Sequence, residues 1–412
     1  MPGNPAAIVP GTATDAASAM HPDPRVSRCA FAAVLLLLAG TALADSDGDR
    51  PVTAKVGGRL HWDIARFDND ARGTPNADDA DLRAAWLDVS GRFYGLGYKL
   101  EADFAGDEVL ARDVYLTRKF AAGTLTLGQF KQYVTLDDRV SSNHTVFVER
   151  SYLGQALAPT YRLGAAWLSA RDGYTLGGGV YSLESIDVWQ TRGRAAAVRA
   201  SHAPWREAGH VLHVGVSAAR EDYDHPGAGG AGGAAALRVR VRPAGVFSDN
   251  SRLTVLDFAG GRDTRVSKAS LELAGVNGAF SYQGEAAVAR YADGQQTGRL
   301  TAAYIQAAWM LTGEIRPYDA KNGRFGRIQP AARGGAWEVA LRYDALGGRQ
   351  RVDGGPTQRD RAVDAWTAGV NWYPRPHLRL MLDYTDSRSR DRQLGTVLDR
   401  TRALAGRLQV DF

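Results

Sequence analysis

The sequence predicts an all-β fold, a transmembrane antiparallel β-barrel, and three observations carry that prediction. Period-two alternation of apolar and polar residues over about ten positions recurs from residue 56 to residue 412, with no competing helical period. Tight turns alternate with long links along the same stretch. The closing segment places Leu404, Gly406, Leu408, Val410 and Phe412 on one parity and Arg407, Gln409 and Asp411 on the other. Strands that alternate in this way show one face to lipid and the other to water.

The N-terminal segment sets the compartment. Arg25 and Arg28 precede an apolar run from Ala30 to Ala39, and Ala42-Leu43-Ala44 closes it like a signal-peptidase site. Residues 1–44 therefore read as a signal peptide, with Met20 an alternative start, residues 45–55 as a flexible mature N-terminus, and residues 56–412 as the barrel. The apolar run is too short for a spanning helix, which needs roughly 20 residues. The single cysteine, Cys29, falls in the expected leader, so the mature chain has no thiol for a disulfide or a metal site.

Composition agrees with a barrel that is half wet. Hydrophobic residues make up 44% of 412, with 47 Gly, 16 Tyr and 9 Trp. The mean hydropathy is only −0.29, because alternate strand residues avoid lipid. A formal charge of +5 is too modest to imply a nucleic-acid partner, and its placement matters more than its size.

The elements follow in order. Leu60/Trp62/Ile64, Ala85/Leu87/Val89, Leu100/Ala102/Phe104, Val339/Leu341/Tyr343 and Leu378/Leu380/Leu382 are expected to face lipid. Gly95-Leu96-Gly97, Ala121-Ala122-Gly123, Asp172-Gly173, Asn277-Gly278 and Pro374-Arg375-Pro376 carry turn chemistry and are expected at the periplasmic end. Long links at 68–80, 132–159, 221–234 and 347–362 are expected outside. Tyr94, Tyr98, Trp366, Trp372 and Tyr373 fit interfacial girdles. The alternating segments number sixteen or eighteen, depending on how pieces such as 251–258 are counted, and a barrel of either size holds an aqueous channel.

Leu237-Arg238-Val239-Arg240-Val241-Arg242-Pro243 is the most informative stretch for chemistry. On a strand it stacks Arg238, Arg240 and Arg242 on one face at about 7 Å intervals, with Leu237, Val239 and Val241 expected toward lipid. Such a column of guanidinium groups would attract anions and pass them along a pore wall. Arg92, Lys99, Lys119, Lys131, Arg194 and Arg342 are further candidates for the lumen, with Glu101, Asp103 and Asp113 as balancing acids. After Lys131 comes a polar stretch containing Asp137, Asp138, Arg139, Ser141, Ser142, Asn143, Glu149 and Arg150. It reads either as a loop folded into the pore or as an external loop.

Other signals carry no site. Gly227, Gly229 and Gly232 form a lone G-x-G-x-x-G without the flanking strand and helix, and Asp45, Asp47 and Asp49 lack the closing Glu of a calcium loop. His210 and His213 point to opposite faces of a strand. No nucleophile motif occurs, so no enzyme, cofactor or metal is expected.

The chain resembles the phosphate-selective porins O and P. The resemblance rests on Gly128-Gln129-Phe130-Lys131, Ser141-Ser142, Phe147-Val148-Glu149-Arg150-Ser151, Leu311-Thr312-Gly313-Glu314 with Pro317-Tyr318, Gly335-Ala336-Trp337-Glu338 with Arg342-Tyr343, Asn371-Trp372-Tyr373-Pro374 and Arg407-Leu408-Gln409. It implies a trimeric, usually sixteen-stranded barrel with an arginine ladder and a third loop constricting the pore. Ser142 and Arg150 would then lie near the anion site, whereas Asn143 stands where phosphate-binding members carry a lysine. The expected function is passive diffusion of phosphate, pyrophosphate, chloride and similar anions across the outer membrane. A closing Phe412 would be recognised by the assembly machinery. The alternatives are a porin for other organic solutes, or an enzyme or adhesin on a barrel scaffold.

Overall fold

The computed structural model describes residues 52–187, 193–224, 237–245, 247–248, 252–258 and 262–412. The expected leader, Cys29, the Asp45/Asp47/Asp49 cluster and the glycines 227, 229 and 232 fall outside these residues.

Sixteen strands form one closed antiparallel barrel. They are β1 (Val52–Asp68), β2 (Asp79–Phe93), β3 (Leu96–Asp103), β4 (Leu110–Phe120), β5 (Gly123–Lys131), β6 (Tyr161–Arg171), β7 (Tyr174–Ser182), β8 (Gly193–Glu207) and β9 (His210–Tyr223). After a separate hairpin, β10 (Leu237–Val241) and β11 (Leu253–Phe258), come β12 (Thr264–Asn277), β13 (Phe280–Ala292) and β14 (Gln296–Met310). A small hairpin, β15 (Tyr318–Asp319) with β16 (Arg324–Phe325), precedes β17 (Ala336–Val352), β18 (Thr357–Arg375), β19 (Leu378–Asp391) and β20 (Thr396–Asp411). Closure is made by β1 against β20, in register from Arg59↔Asp411 to Asp68↔Arg402.

In β1 and β20 alternation sorts side chains as the sequence requires. Leu60, Trp62 and Ile64 are 47%, 58% and 53% exposed on the outer wall, while His61 and Asp63 between them are 2% and 0% exposed. Leu404, Leu408 and Val410 face out, and Arg407, Gln409 and Asp411 are buried inside. Val89 and Ala102, by contrast, were expected at the lipid and are buried. Tyr373, expected in a girdle, is also buried, with its hydroxyl donating to Glu338 at 2.9 Å. Tyr94-Gly95 and Asp172-Gly173 close two-residue turns with positive φ at both positions, 47° and 81° in one and 51° and 82° in the other. That geometry matches the twist of paired strands.

Two expectations about the loops need correction. The link at 347–362 is mostly strand: β17 runs to Val352 and β18 resumes at Thr357. Conversely, the connection 311–335 is long although it lies at the end of the barrel that carries the short turns. Its length serves the interior. Tyr318 Oη is 2.6 Å from His213 Nδ1, the Gly323 carbonyl accepts from Arg199 Nη2 at 2.9 Å, and Arg316 pairs with Glu338, so the segment folds up into the bore.

The tally of eighteen segments also resolves. Residues 237–241 and 253–258 are strands, but they pair only with each other. Five residues span about 16 Å, whereas a tilted strand needs roughly 9–11 residues to cross the hydrocarbon. The hairpin instead lies against the inner wall. Val239, Val241, Val255, Leu256 and Phe258 cluster with Leu300, Ala302, Leu346, Val363 and Ala365 of the barrel. Gly298 and Gly348 make this approach feasible, since a Cβ on either would lie 3.0 Å from Phe258 or Val255.

Candidate functional site

The segment between β5 and β6 carries two short helices, α1 (Leu136–Arg139) and α2 (Tyr152–Leu157). Thr135 caps α1 by accepting from Asp138 N, and Ser151 caps α2 by accepting from Gly154 N at 3.0 Å. Of the two readings left open by residue types, the folded-in loop is the observed one.

Wall side chains hold this loop by its backbone. Glu285 on β13 accepts from Leu136 N at 2.9 Å and Asp137 N at 2.7 Å. Asp344 on β17 accepts from Tyr152 N and Asp383 on β19 from Val148 N, both at 2.7 Å. Donors complete the clamp: Arg342 to the Glu149 carbonyl at 2.9 Å, Arg379 to Thr145 at 2.7 Å, and Asn371 to Val146 at 2.9 Å. Side-chain carboxyl groups thus accept from loop N–H groups, while two guanidinium groups and one amide donate to loop carbonyls. Arg342 is consequently committed to the loop.

Beside the clamped loop lies a cavity of about 380 Å³. Arg59, Lys99, Lys131, Arg139 and Arg324 line it, against Glu101 and Asp113, with Ser141, Ser142, Tyr115, Tyr133 and Tyr161 supplying hydroxyls. Asp138 sits behind Lys131, its carboxyl 3.3 Å from Nζ. Burial works against charging Asp138, yet Lys131, Arg150 and Arg139 outweigh that cost and hold it below the usual carboxylate range. Ser142 Oγ accepts from Arg59 Nη1 at 2.9 Å, and Arg59 also reaches Glu101 at 3.2 Å while stacking 4.2 Å from the Trp86 ring. Arg324 donates to the Arg139 carbonyl at 3.1 Å, and burial together with the Arg139 charge lowers its own proton affinity.

His144, in the same loop, reports the field. Burial and then the guanidinium groups of Arg327, Arg324, Arg59 and Arg316 push its pKa down to about 3. Burial first, and these cations second, keep His144 neutral.

The seven candidate residues do not form one site. Lys131, Arg139 and Ser142 meet in the large cavity. Arg150 and Arg242 line a tighter recess with Arg342, balanced by Glu149, Asp344 and Asp383. Arg150 donates to the Val140 carbonyl at 2.8 Å and to the Asp137 carbonyl, so it ties the end of α1 to the rest of the loop. Arg238 and Arg240 lie on the exposed face of β10, and Arg238 bonds Asp257 at 3.2 Å. The expected lipid-facing position of Leu237, Val239 and Val241 is incorrect: Val239 and Val241 pack inward on the barrel wall, partly buried Leu237 joins the same cluster, and Arg238 and Arg240 take the opposite face. Arg194 is exposed on the outer wall instead of the lumen. Asn143 is held by the wall, its Oδ1 3.0 Å from His61 and its carbonyl 3.1 Å from Gln409.

Sequence reading missed Arg59 and Arg324. Arg59 shares its inward parity with His61 and Asp63, so the alternation of β1 already contained it. Arg324 had no such signal, because its connection gave no sign of entering the bore.

Comparison with known proteins places this geometry. Porin O of Pseudomonas aeruginosa is 28% identical over 382 residues, covering 83% of this chain and 84% of that protein. The trimer form of OmpT from Vibrio cholerae superposes with a TM-score of 0.56 at 11% identity, over 88% of this chain and all of that one. An anion-selective porin from Comamonas acidovorans superposes with a TM-score of 0.55 at 11% identity, over 88% of this chain and all of its own. The family model for phosphate-selective porins O and P matches residues 54–412. This sixteen-stranded outer-membrane barrel is a porin and belongs to the phosphate-selective porin O and P family.

Proposed function

We propose that the chain is a passive, anion-selective channel whose selectivity is set in the cavity beside the clamped loop. The carrying observation is charge: five cations, Arg59, Lys99, Lys131, Arg139 and Arg324, line that cavity against two carboxylates, Glu101 and Asp113. Fixed positive charge in a narrow aqueous bore raises the local anion concentration, and partial pairing keeps binding weak enough for release. Guanidinium and hydroxyl donors together suit oxyanions. The family description and the anion-selective relative from Comamonas acidovorans support the same reading.

Small anions such as chloride, phosphate and pyrophosphate pass, with Lys131, Arg139 and Ser142 contacting them at the loop and Arg238, Arg240, Arg242 and Arg150 shaping the approach. Asn143 offers an amide where an ammonium would tighten phosphate, so discrimination among these anions is weak. The chain works as a homotrimer in outer-membrane lipid, is exported on its N-terminal leader, is received by the assembly machinery through Phe412, and catalyses no reaction. The test is the reversal potential of the purified porin in a planar bilayer under a potassium chloride gradient. Anion preference is expected, and cation preference would refute the proposal.

A further inference from the structure

The outer wall carries a row of like charges that the channel does not use. On adjacent strands β13, β14 and β17, Arg290 lies directly opposite Arg299, and Arg299 directly opposite Arg349. All three are exposed on the outward parity, flanked inside by Ala289, Leu300 and Gly348. Neighbouring strands are about 4.8 Å apart, so three guanidinium stems stand within roughly 10 Å. Like charges in directly opposed positions destabilise a sheet. Arg349 is relieved by Asp360, with Nη2 to Oδ2 at 2.6 Å, but Arg290 and Arg299 have no ion-pair partner among the described residues. On β12, the residue opposite Arg290 is the neutral Ser267, which accepts from Arg220 of β9 at 2.9 Å.

Height on the barrel identifies what faces the row. At the turn end of the same strands, Phe280 opposes Trp309, both exposed as an interfacial pair. Ten residues separate Phe280 from Arg290 and Trp309 from Arg299, a rise of about 25 Å for a tilted strand. Between the two levels the outer wall presents Leu271, Leu273, Ile305 and Leu341. The arginines therefore stand one apolar band above the lower girdle, at the headgroup level of the leaflet on the loop side.

We propose that Arg290, Arg299 and Arg349 dock the phosphate-bearing headgroup of a lipid in that leaflet. A phosphate between Arg290 and Arg299 accepts paired N–H donors from both and removes the repulsion that the bare row carries. Acyl chains of the same lipid descend along Ile305, Leu271 and Leu341. Charge complementarity and height both favour a membrane lipid over a free anion, since the site opens into the bilayer interface and not into the bore.

The test uses the purified full-length porin in detergent with diphosphoryl lipid A as probe, read as the lipid concentration that half-protects the folded gel band against heating. R290Q/R299Q, and R299Q alone as the milder variant, are expected to need about tenfold more lipid. Lipid A stripped of both phosphates, and inorganic phosphate alone, are expected to protect neither the parent nor the variants. Unchanged protection of R290Q/R299Q, or equal protection by the dephosphorylated lipid or by inorganic phosphate, overturns the proposal. Loss of the oligomer in R290Q/R299Q also overturns it, because the row would then be a contact between copies. Reversal potential is expected to be unchanged in these variants, so failure of this proposal and failure of the channel reading remain separate.

Discussion

The Glu285 carboxylate on β13 accepts the backbone N–H of Asp137 at 2.7 Å, across 148 residues of sequence. Its second oxygen takes the N–H of Leu136, so one wall side chain satisfies the first two donors of α1. The loop is therefore fixed to the wall, and its position depends on buried acids together with Arg342, Arg379 and Asn371.

Removing that anchor should widen the channel. In E285A two buried N–H groups lose their acceptor at a cost of about 1–3 kcal/mol each. D344A releases Tyr152 N in the same way. Both variants should conduct more than the parent, with noisier open states, and should become cleavable by protease within 132–160. Parental conductance in both would mean the clamp does not set the bore.

The two groups of arginines should separate functionally. R139Q/R324Q removes two of five cations from the cavity and should lower the anion-to-cation permeability ratio severalfold, measured as reversal potential. R238Q/R240Q/R242Q should change the ratio less, because Arg238 is already paired with Asp257 and Arg242 sits among balancing acids. A larger effect from the hairpin variant would move the selectivity step to β10.

How much of this was legible in the sequence follows from what alternation encodes. Leu60, Trp62 and Ile64 were assignable because face is a local property of a strand long enough to cross. Leu237, Val239 and Val241 alternate just as cleanly, but alternation says only that two faces differ, not that the apolar one meets lipid. Strand length was the missing discriminator, since β10 has five residues. Lys131, Arg139 and Ser142 were found because polar density after β5 marks the loop. Glu285 and Asp344 were not, because their partners lie 149 and 192 residues away and no periodicity spans that distance.

Acidity should weaken the folded state through His144. Its pKa falls from the ordinary 6.5 to about 3 in the folded protein, through burial and then Arg327, Arg324, Arg59 and Arg316. Below about 6.5 the unfolded chain binds a proton that the folded chain refuses, so stability declines as pH drops toward 3. Above 6.5 the residue is neutral in both states and contributes no pH dependence. Heat-induced gel shifts between pH 4 and 8 should therefore show a smaller acid loss in H144Q than in the parent. Identical slopes would exclude the residue from the acid response.

The inward hairpin offers the most direct test of the interior packing. Val255, Leu256 and Phe258 are almost wholly buried against the wall, and each such side chain contributes about 1.5–3 kcal/mol. G348V places side-chain atoms where Val255 already lies 3.0 Å from a bare Cβ, and G298V does the same to Phe258. Overpacking costs about 1–3 kcal/mol per site, less than the summed burial of the three residues. A single variant should therefore keep the hairpin seated with little change in conductance. The double variant G298V/G348V raises the cost to about 2–6 kcal/mol against about 4.5–9 kcal/mol for the three side chains, before Val239 and Val241 are counted. The hairpin is then loosened without being expelled, and an added open level of higher conductance should appear as it transiently lifts out of the bore. The barrel itself should persist, seen as an unchanged heat-modifiable band, because both glycines contact the hairpin from the wall. Parental conductance in a folded double variant would show that β10 and β11 do not obstruct the path.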